Sequence, residues 1–399
     1  MPLQQTSIGT LYAKKGIEKA ILKGYPWIFT NDVTASSILA LCQAGDLVHI
    51  ADFKGNILGT GYCNPHSQIV VRMLALQPLH QISADFFIHK LQLALKKRQA
   101  YLDIPYYRLI HSEADFLPGL IIDRFNDIFV CQLSTAGMQS FQPLILEALE
   151  VIFSPATIIF RNDMPSREKE GMSREITLAK GTMPGIIPVY EYGVEFLADL
   201  SEGQKTGWYY DQRENRRYMA ALARGKSVLD VFCYTGSFGI AAGVAGASSV
   251  TFMDSSQPAL ELARQAVARN HITAPCHFRQ GKAFDVLAEL QQEQSLYDMV
   301  LLDPPPFIRE KKYKMSGQKG YQKLCTLAAP LVAPNGILSL ASCSHHMSRK
   351  DLVREMQQGL EKAGRKGMLI HAADAAADHP VHPLLPQSAY LHLIVMTLV

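Results

Sequence analysis

From residue 226 to the end, the chain alternates short apolar runs with helix-patterned segments, and this alternation restricts its fold more than any other feature. Lys226-Ser-Val-Leu-Asp-Val-Phe232 reads as a strand, followed by a glycine-bearing turn and a helix through Ala247. Ser249-Val-Thr-Phe-Met253 is the next strand, and Pro258, at a favoured first-turn position, opens a helix to Asn270. Strands at 276–280, 297–302, 336–342 and 367–371 follow, with a last one at 389–399. Repeated units of this kind predict an α/β fold: a doubly wound sheet with helices on both faces. Such sheets bind ligands beyond the carboxyl ends of their strands.

A chain of 399 residues exceeds one ordinary core, so further domains are expected upstream. Residues 1–75 alternate β-like runs with turns: Asp46-Leu-Val-His-Ile-Ala51, then Ile57-Leu-Gly-Thr-Gly-Tyr62, then Gln68-Ile-Val-Val-Arg-Met73. Gly55-Asn56 between two of them is a hairpin signal, and a small β-barrel is expected. Residues 76–189 read as an α+β unit. It has a helix at 85–102, a hairpin turning at Asn126-Asp127, a helix around 138–151 and a strand at 157–160. The charged stretch from Arg161 to Arg174 is expected to be an exposed, flexible loop. Residues 190–399 hold the doubly wound sheet.

The net charge of +3 says nothing about a nucleic-acid partner, but local clusters do. Arg309 to Lys323 carries six basic residues and one acid, with Tyr313 and Tyr321 interleaved. Lys14, Lys15, Lys19 and Lys23 run into Gly24-Tyr25-Pro26-Trp27. Basic and aromatic residues together meet phosphates and stack bases, although either cluster alone also reads as a solvated face. Lys15, Lys23, Trp27, Lys311, Lys312 and Lys314 are the resulting RNA-contact candidates. The seven cysteines are an odd number without a Cys-x-x-Cys pair, which argues against a disulfide framework or a thiolate zinc site. His345-His346 has no third ligand, so no metal is expected. With no signal-peptide core and no long apolar span, a reducing cytoplasm and no membrane partner are expected.

The first strand–helix turn reads Val228-Leu-Asp230-Val-Phe-Cys-Tyr-Thr-Gly236-Ser-Phe-Gly239. It lacks the glycine spacing of a dinucleotide fingerprint, and Phe232 and Tyr234 would crowd a pyrophosphate. Asp254 ends the second strand, where an acid binds ribose hydroxyls. An acid in the first turn without phosphate-binding glycines suits a ligand with a cationic amino-acid tail. S-adenosylmethionine is such a ligand; a nicotinamide cofactor is the weaker alternative. Asp285, after the third strand, offers an adenine-side contact or simply a helix-start acid. Asp199 to Asn215 is dense in polar groups and can close over a cofactor, with Lys205 or Arg213 facing its carboxylate. Lys205, Asp211, Arg213, Asp230, Phe232, Tyr234, Gly236, Asp254 and Asp285 are thus the cofactor-binding candidates.

Two further strands end in Asp303-Pro304-Pro305-Pro306-Phe307 and in Cys343. Prolines leave carbonyls without local donors, so this loop can accept from an exocyclic amine, while Phe307 can stack on a base withdrawn from its helix. Carbon 5 of a pyrimidine is a poor nucleophile. A thiolate adding to carbon 6 makes it enolate-like, and Asp303 at N3 would favour that addition. Cys343 is therefore the candidate nucleophile, against the bland reading of a buried strand-end thiol.

These residues resemble a known family. Gly203-Gln-Lys-Thr-Gly-Trp208 with Asp211-Gln-Arg-Glu-Asn215, the 228–238 turn, Asp303-Pro-Pro-Pro-Phe307, Ser342-Cys-Ser344, Gly24-Tyr-Pro-Trp-Ile-Phe29 and Asp378-His-Pro-Val381 are similar to the bacterial 23S ribosomal RNA cytosine-C5 methyltransferases. The resemblance covers essentially the whole chain. It implies a PUA barrel, a middle α+β RNA-binding domain and a Rossmann-like class I methyltransferase domain. It also implies S-adenosylmethionine at Asp230, Asp254 and Asp285, a nucleophile at Cys343, and 23S ribosomal RNA or a large-subunit precursor as partner; a homodimer is left open. Pro306 departs from the Pro-Pro-Lys of the best-known members. Two rivals are carried forward: a guanine N7 or exocyclic-amine RNA methyltransferase with a structural Cys343, and a non-catalytic RNA-binding assembly factor.

Overall fold

The computed structural model describes residues 5–34, 37–203, 206–308 and 310–399. The chain divides into two compact units. The first comprises Met1–Gly185, Leu200–Trp208 and Asp378–Pro386, the second Ile186–Asp199, Tyr209–Ala377 and Gln387–Val399.

In the first unit, β1 (Gln5–Tyr12), β2 (Trp27–Phe29), β3 (Leu47–Ala51), β4 (Ile57–Cys63), β5 (Ile69–Ala75) and β6 (Gln81–Ile82) form a sheet of order β2-β5-β4-β3-β1-β6. Short helices α1 (Glu18–Leu22) and α2 (Ser37–Leu41) accompany it. The β3–β4 hairpin turns where expected because Asp52 accepts from Lys54 N, Asn56 N and Asn56 Nδ2 at 2.8–2.9 Å, while Gly55 takes φ +90°. Leu11, Ile28, Val48, Ile50, Val70 and Val71 fill the interior.

A second sheet follows, β7 (Tyr106–His111), β8 (Leu120–Phe125), β9 (Ile128–Leu133), β10 (Thr157–Asn162) and β11 (Glu175–Lys180), in the order β11-β10-β9-β8-β7. Its β8–β9 hairpin turns at Asn126, φ +60°, as the sequence predicts. It packs with α3 (Ala84–Gln99) and α5 (Gln142–Phe153), the latter preceded by the single turn α4 (Ala136–Ser140). Barrel residues Leu47, Tyr62 and Leu74 join this core, so apolar packing runs across residue 75.

The stretch from Arg161 to Arg174 is not the exposed loop expected. Pro165–Glu170 forms a 3-10 helix, and Arg167 is only 1% exposed. Its guanidinium donates to the Ser173 and Leu133 carbonyls and to Gln139. Glu170 accepts from Arg72 and Asn64 at 2.9 and 2.8 Å. Charged side chains go inside when each one finds its partners there.

In the second unit, β12 (Ile186–Glu191) and β13 (Val194–Asp199) make an antiparallel hairpin, followed by α6 (Arg213–Ala221). Then come β14 (Ser227–Val231), α7 (Ser237–Val244), β15 (Ser249–Asp254), α8 (Gln257–Arg269), β16 (Cys276–Gln280), α9 (Ala283–Gln292), β17 (Tyr297–Leu302), α10 (Lys314–Ala328), β18 (Val332–Ser342), α11 (Arg349–Lys362), β19 (Gly367–Asp374) and β20 (His392–Leu398). The seven strands run β16-β15-β14-β17-β18-β20-β19, with β20 antiparallel to both neighbours. Leu229 and Val231 face a core built with α9, α10 and α11. Val228 and Asp230, by strand alternation, face α7. Strand order reverses between β14 and β17, and at such a switch point open α/β sheets bind their ligands.

Candidate active site

The groups around the β14–α7 turn, the Asp303 loop and Cys343 belong to the second unit. The β14–α7 turn is built on unusual backbone: Phe232, Tyr234 and Gly236 take φ of +62°, +49° and +79°. Two bulky residues in the left-handed region store strain that only a well-determined surrounding can hold. Asp254 helps supply it, since one of its oxygens accepts from Tyr234 N at 2.9 Å and the other from Ser256 N at 2.9 Å. Glycine is required at 236 and 239 for close approach. A Cβ at 236 would lie 2.8 Å from that of Ala263, and one at 239 only 2.4 Å from the Phe252 ring.

Asp230 is buried at the end of β14. One carboxylate oxygen accepts from Gly239 N at 2.8 Å, and the other has no hydrogen-bond partner. Burial pushes its pKa up to about 7; the Gly239 bond opposes that rise, and the charges of Asp303 and Asp254 add to it. An orphaned carboxylate oxygen among three acids suits a cation. S-adenosylmethionine brings an ammonium and a sulfonium, so the residues present fit it.

The Asp303 loop leaves β17 beside this turn, with Asp303 N donating to the Val231 carbonyl at 3.3 Å. Gln212 Nε2 donates to Asp303 Oδ1 at 3.1 Å. Asn215 Nδ2 donates to Gln212 Oε1 at 2.6 Å, which fixes which end of the Gln212 amide faces the acid. Strands β17 and β18 are parallel neighbours with Leu302 opposite Leu340, so Asp303 and Cys343 emerge on the same edge. Tyr209 feels both groups electrostatically. Its phenol is held far above the usual range by burial first, then by Tyr234, Asp211, Cys343 and Asp303. The Tyr209 ring lies 5.9 Å from that of Tyr234 in the β14–α7 turn.

Cys343 is clamped from both sides. Ser342 Oγ donates to the Tyr321 hydroxyl at 2.9 Å, and that hydroxyl shares a hydrogen bond of 3.0 Å with Ser344 Oγ. Ser344 Oγ also accepts from Ile308 N at 3.4 Å, tying the cysteine segment to the end of the proline loop. Of the seven cysteines, only Cys276 and Cys343 are not buried. Cys276 belongs to edge strand β16, with its thiol turned to the Ala274 carbonyl. Burial raises the pKa of Cys63, Cys131, Cys233 and Cys325, leaving those thiols inert at neutral pH.

The other candidates are placed as follows. Pro304 is buried, Pro305 exposed, and Phe307 half-buried with its ring 4.7 Å from Tyr321 and 6.3 Å from Phe284. Asp285 is exposed in the first turn of α9, where an acid favours the helix start. Asp211 accepts from the Tyr390 hydroxyl at 2.6 Å. Arg213 is buried, 3.8 Å from Glu191 and 5.0 Å from the Tyr210 ring centre, and Glu191 also holds Arg216 at 2.7 Å. Its charge is therefore shared with an acid rather than presented alone. Lys205 lies outside the described residues, as does Arg309. Lys312 pairs with Glu310 and Lys314 with Asp351, both at 2.9 Å, while Lys311 is exposed. In the first unit, Lys15 and Lys23 are exposed, and Trp27 Nε1 donates to Glu113 at 2.9 Å. Among the described residues, no cluster could hold a metal and no helix is long and apolar enough to cross a membrane. Sequence reasoning gave no role to Tyr209 or Gln212, and it set Tyr321 among aromatics facing RNA, whereas that ring is buried; the three-residue spacing of Gln212 and Asn215 could have hinted at their pairing.

Residues 11–76 match the PUA-like domain family, and residues 180–393 match the S-adenosylmethionine-dependent methyltransferase family. Two solved structures share the fold at 20% identity, each covering 98% of this chain and 100% of theirs. One is from Streptococcus mutans and described as a SAM-dependent methyltransferase, TM-score 0.81; the other is described as a methyltransferase complexed with SAH, TM-score 0.83. Fold and site together define a class I S-adenosylmethionine-dependent methyltransferase carrying a PUA-like domain. The chain is 34% identical over 393 residues to the ribosomal RNA large subunit methyltransferase I of Tolumonas auensis, covering 97% of this chain and 98% of that one. It is 35% identical to the protein of the same name in Aeromonas hydrophila, with the same coverage. It belongs to the ribosomal RNA large subunit methyltransferase I family.

Proposed function

We propose that the chain methylates carbon 5 of a cytosine in 23S ribosomal RNA, with Cys343 as covalent nucleophile and Asp303 at the base. One observation carries this reading: Cys343, a partly exposed strand-end cysteine, sits between Ser342 and Ser344, which Tyr321 and Ile308 N tie to the Asp303 loop. The Cys343 thiolate adds to carbon 6 of the cytosine, breaking the 5,6 double bond and placing electron density on carbon 5. Asp303, oriented by Gln212, donates to or bonds N3 and stabilises that density. Bound S-adenosylmethionine supplies an electrophilic methyl group. A base takes the carbon 5 proton, and the electron pair of that C–H bond re-forms the 5,6 double bond as the carbon 6–sulfur bond breaks and Cys343 leaves as a thiolate.

Asp230 holds the ammonium of the cofactor's amino-acid end through its unpartnered oxygen, and Asp254 its ribose. Pro304, Pro305 and Phe307 border the base. Residues 1–75 and 76–189 grip the RNA, through Lys15, Lys23 and Trp27 among others, and residues 190–399 carry the chemistry, with Lys311, Lys312 and Lys314 toward phosphates.

The test is mass spectrometry of nucleosides from ribosomal RNA incubated with isotopically labelled S-adenosylmethionine, wild type beside Cys343→Ala. Label in 5-methylcytidine that vanishes in the variant is expected. Label in a methylguanosine, indifferent to the variant, overturns the proposal.

A further inference from the structure

The first unit contains a cavity that this chemistry does not use. Its volume is about 350 Å³, within the range of roughly 300–1,000 Å³ usual for small-ligand sites. Tyr25, Pro26, Leu74 and Leu93 give it apolar walls, and Phe116, Lys90 and Lys97 also line it.

Three features describe what it would accept. First, its charge is unbalanced. Lys90 and Lys97 both lie on α3, and neither forms an ion pair among the described residues. The acid in the lining, Asp115, is already held by Arg98 at 2.8 and 2.6 Å and by His111 N at 2.7 Å. Burial, with the charge of Lys97 beside it, keeps the pKa of Lys90 below the ordinary lysine value, so an anion there would relieve both effects. Second, an aromatic ring is on offer. Phe116 is 48% exposed, and the ammonium groups of Lys90 and Lys97 lie 5.4 and 5.9 Å from its centre. Third, Phe116 sits at φ +59°, a strained position for a bulky residue, at the end of the turn Ser112–Asp115. Apolar walls, an exposed ring and two cations that contact rings but no acid among the described residues match a flat base joined to a phosphate.

We propose that this cavity is a nucleotide-binding site for the RNA substrate, taking an unpaired base against Phe116 and its phosphate between Lys90 and Lys97. The proposal rests on RNA being the substrate.

The test uses the full chain and in vitro-transcribed large-subunit ribosomal RNA carrying 4-thiouridine. After irradiation, mass spectrometry is expected to find crosslinks on peptides containing Tyr25 or Phe116. The triple variant Lys90→Gln, Lys97→Gln, Phe116→Ala is expected to raise KM for RNA by roughly tenfold or more. Its kcat and its S-adenosylhomocysteine affinity stay at wild-type values, and its first-unit unfolding transition, followed by the fluorescence of Trp27 and Trp208, stays in place, which together report an intact fold. Its slope of log affinity against log salt falls by about 0.7 per lysine removed. If the wild type methylates this RNA but crosslinks only elsewhere, and the variant keeps KM and slope, the proposal is overturned. It is also overturned if the variant loses self-association in sedimentation while its KM is unchanged, because the occupant is then a second copy. If the wild type binds S-adenosylhomocysteine yet neither binds nor methylates the RNA, the RNA reading itself fails and the cavity proposal fails with it.

Discussion

Replacing Asp230 with asparagine tests the electrostatics of the β14–α7 turn against ordinary packing. Burial and the neighbouring acids lift the Asp230 pKa from 3.8 to about 7, a rise equivalent to roughly 4 kcal/mol at about 1.36 kcal/mol per unit. For an acid raised on folding, the unfolded chain gives up its proton first. The stability is therefore complete below pH 3.8 and is lost as pH climbs to about 7. Asparagine keeps the shape and removes this loss. It also places an amide N–H where the partnerless oxygen sits, which costs roughly 1–3 kcal/mol. The net expectation at about pH 8 is a local stabilisation of roughly 1–3 kcal/mol, which shrinks to about zero near pH 5, where the folded-state carboxyl is still mostly protonated. Hydrogen exchange on peptides from Ser227–Val244, corrected for intrinsic rates, reads this directly. Protection in the variant should exceed wild type by roughly tenfold or more at about pH 8, while S-adenosylhomocysteine affinity collapses. A variant less protected than wild type by the same factor at both pH values would refute the reasoning, because Asp230 would then carry no electrostatic burden.

Capturing a cofactor ammonium requires ionised Asp230, so S-adenosylhomocysteine affinity should rise with pH and level off above about 7; a flat titration by calorimetry counts against the assignment. Tyr321→Phe removes the hydroxyl that joins Ser342 to Ser344 and should lower kcat roughly tenfold with cofactor affinity unchanged. Unchanged kcat would mean the clamp does not position Cys343. Gly239→Ala drives a Cβ to 2.4 Å from the Phe252 ring and should destabilise the turn by roughly 1–3 kcal/mol with loss of cofactor binding, measured by the same exchange experiment. Arg98→Ala strands the buried Asp115 carboxylate and should cost about 3–5 kcal/mol of first-unit stability. Denaturant unfolding followed by the fluorescence of Trp27 and Trp208 checks it; a loss below about 1 kcal/mol, the value of an exposed pair, argues otherwise.

The sheet was legible because buried parallel strands are nearly continuous apolar runs, and their ends therefore announce themselves. Asp230, Asp254, Asp303 and Cys343 all fell at such ends, and the topology brings them to one edge. Gln212 and Tyr321 were not legible. Each acts through a partner far away in sequence, and nothing local distinguishes a tyrosine that clamps a serine pair from one that merely fills a core. Arg161 to Arg174 departs from the exposed loop its charge suggests for the same reason, since the partners that let Arg167 and Glu170 go inside lie at Leu133, Gln139, Asn64 and Arg72.

The turn after β14 lies between these cases. Its missing glycines argued correctly against a pyrophosphate, but the sequence offered no sign that Phe232 and Tyr234 adopt glycine-like backbone themselves. That conformation persists because Asp254 holds the Tyr234 amide while Gly236 and Gly239 let α7 close against Phe252. An acid read as a ribose ligand is thus also the strut of the β14–α7 turn. Loss of cofactor binding in an Asp254 variant would therefore not by itself identify a ribose contact. Asp254→Asn separates the two roles. Asparagine's single carbonyl oxygen can accept from only one of the amides at Tyr234 and Ser256, so loosened exchange in the turn alongside weakened binding marks the strut, whereas weakened binding over an unchanged turn marks the ribose.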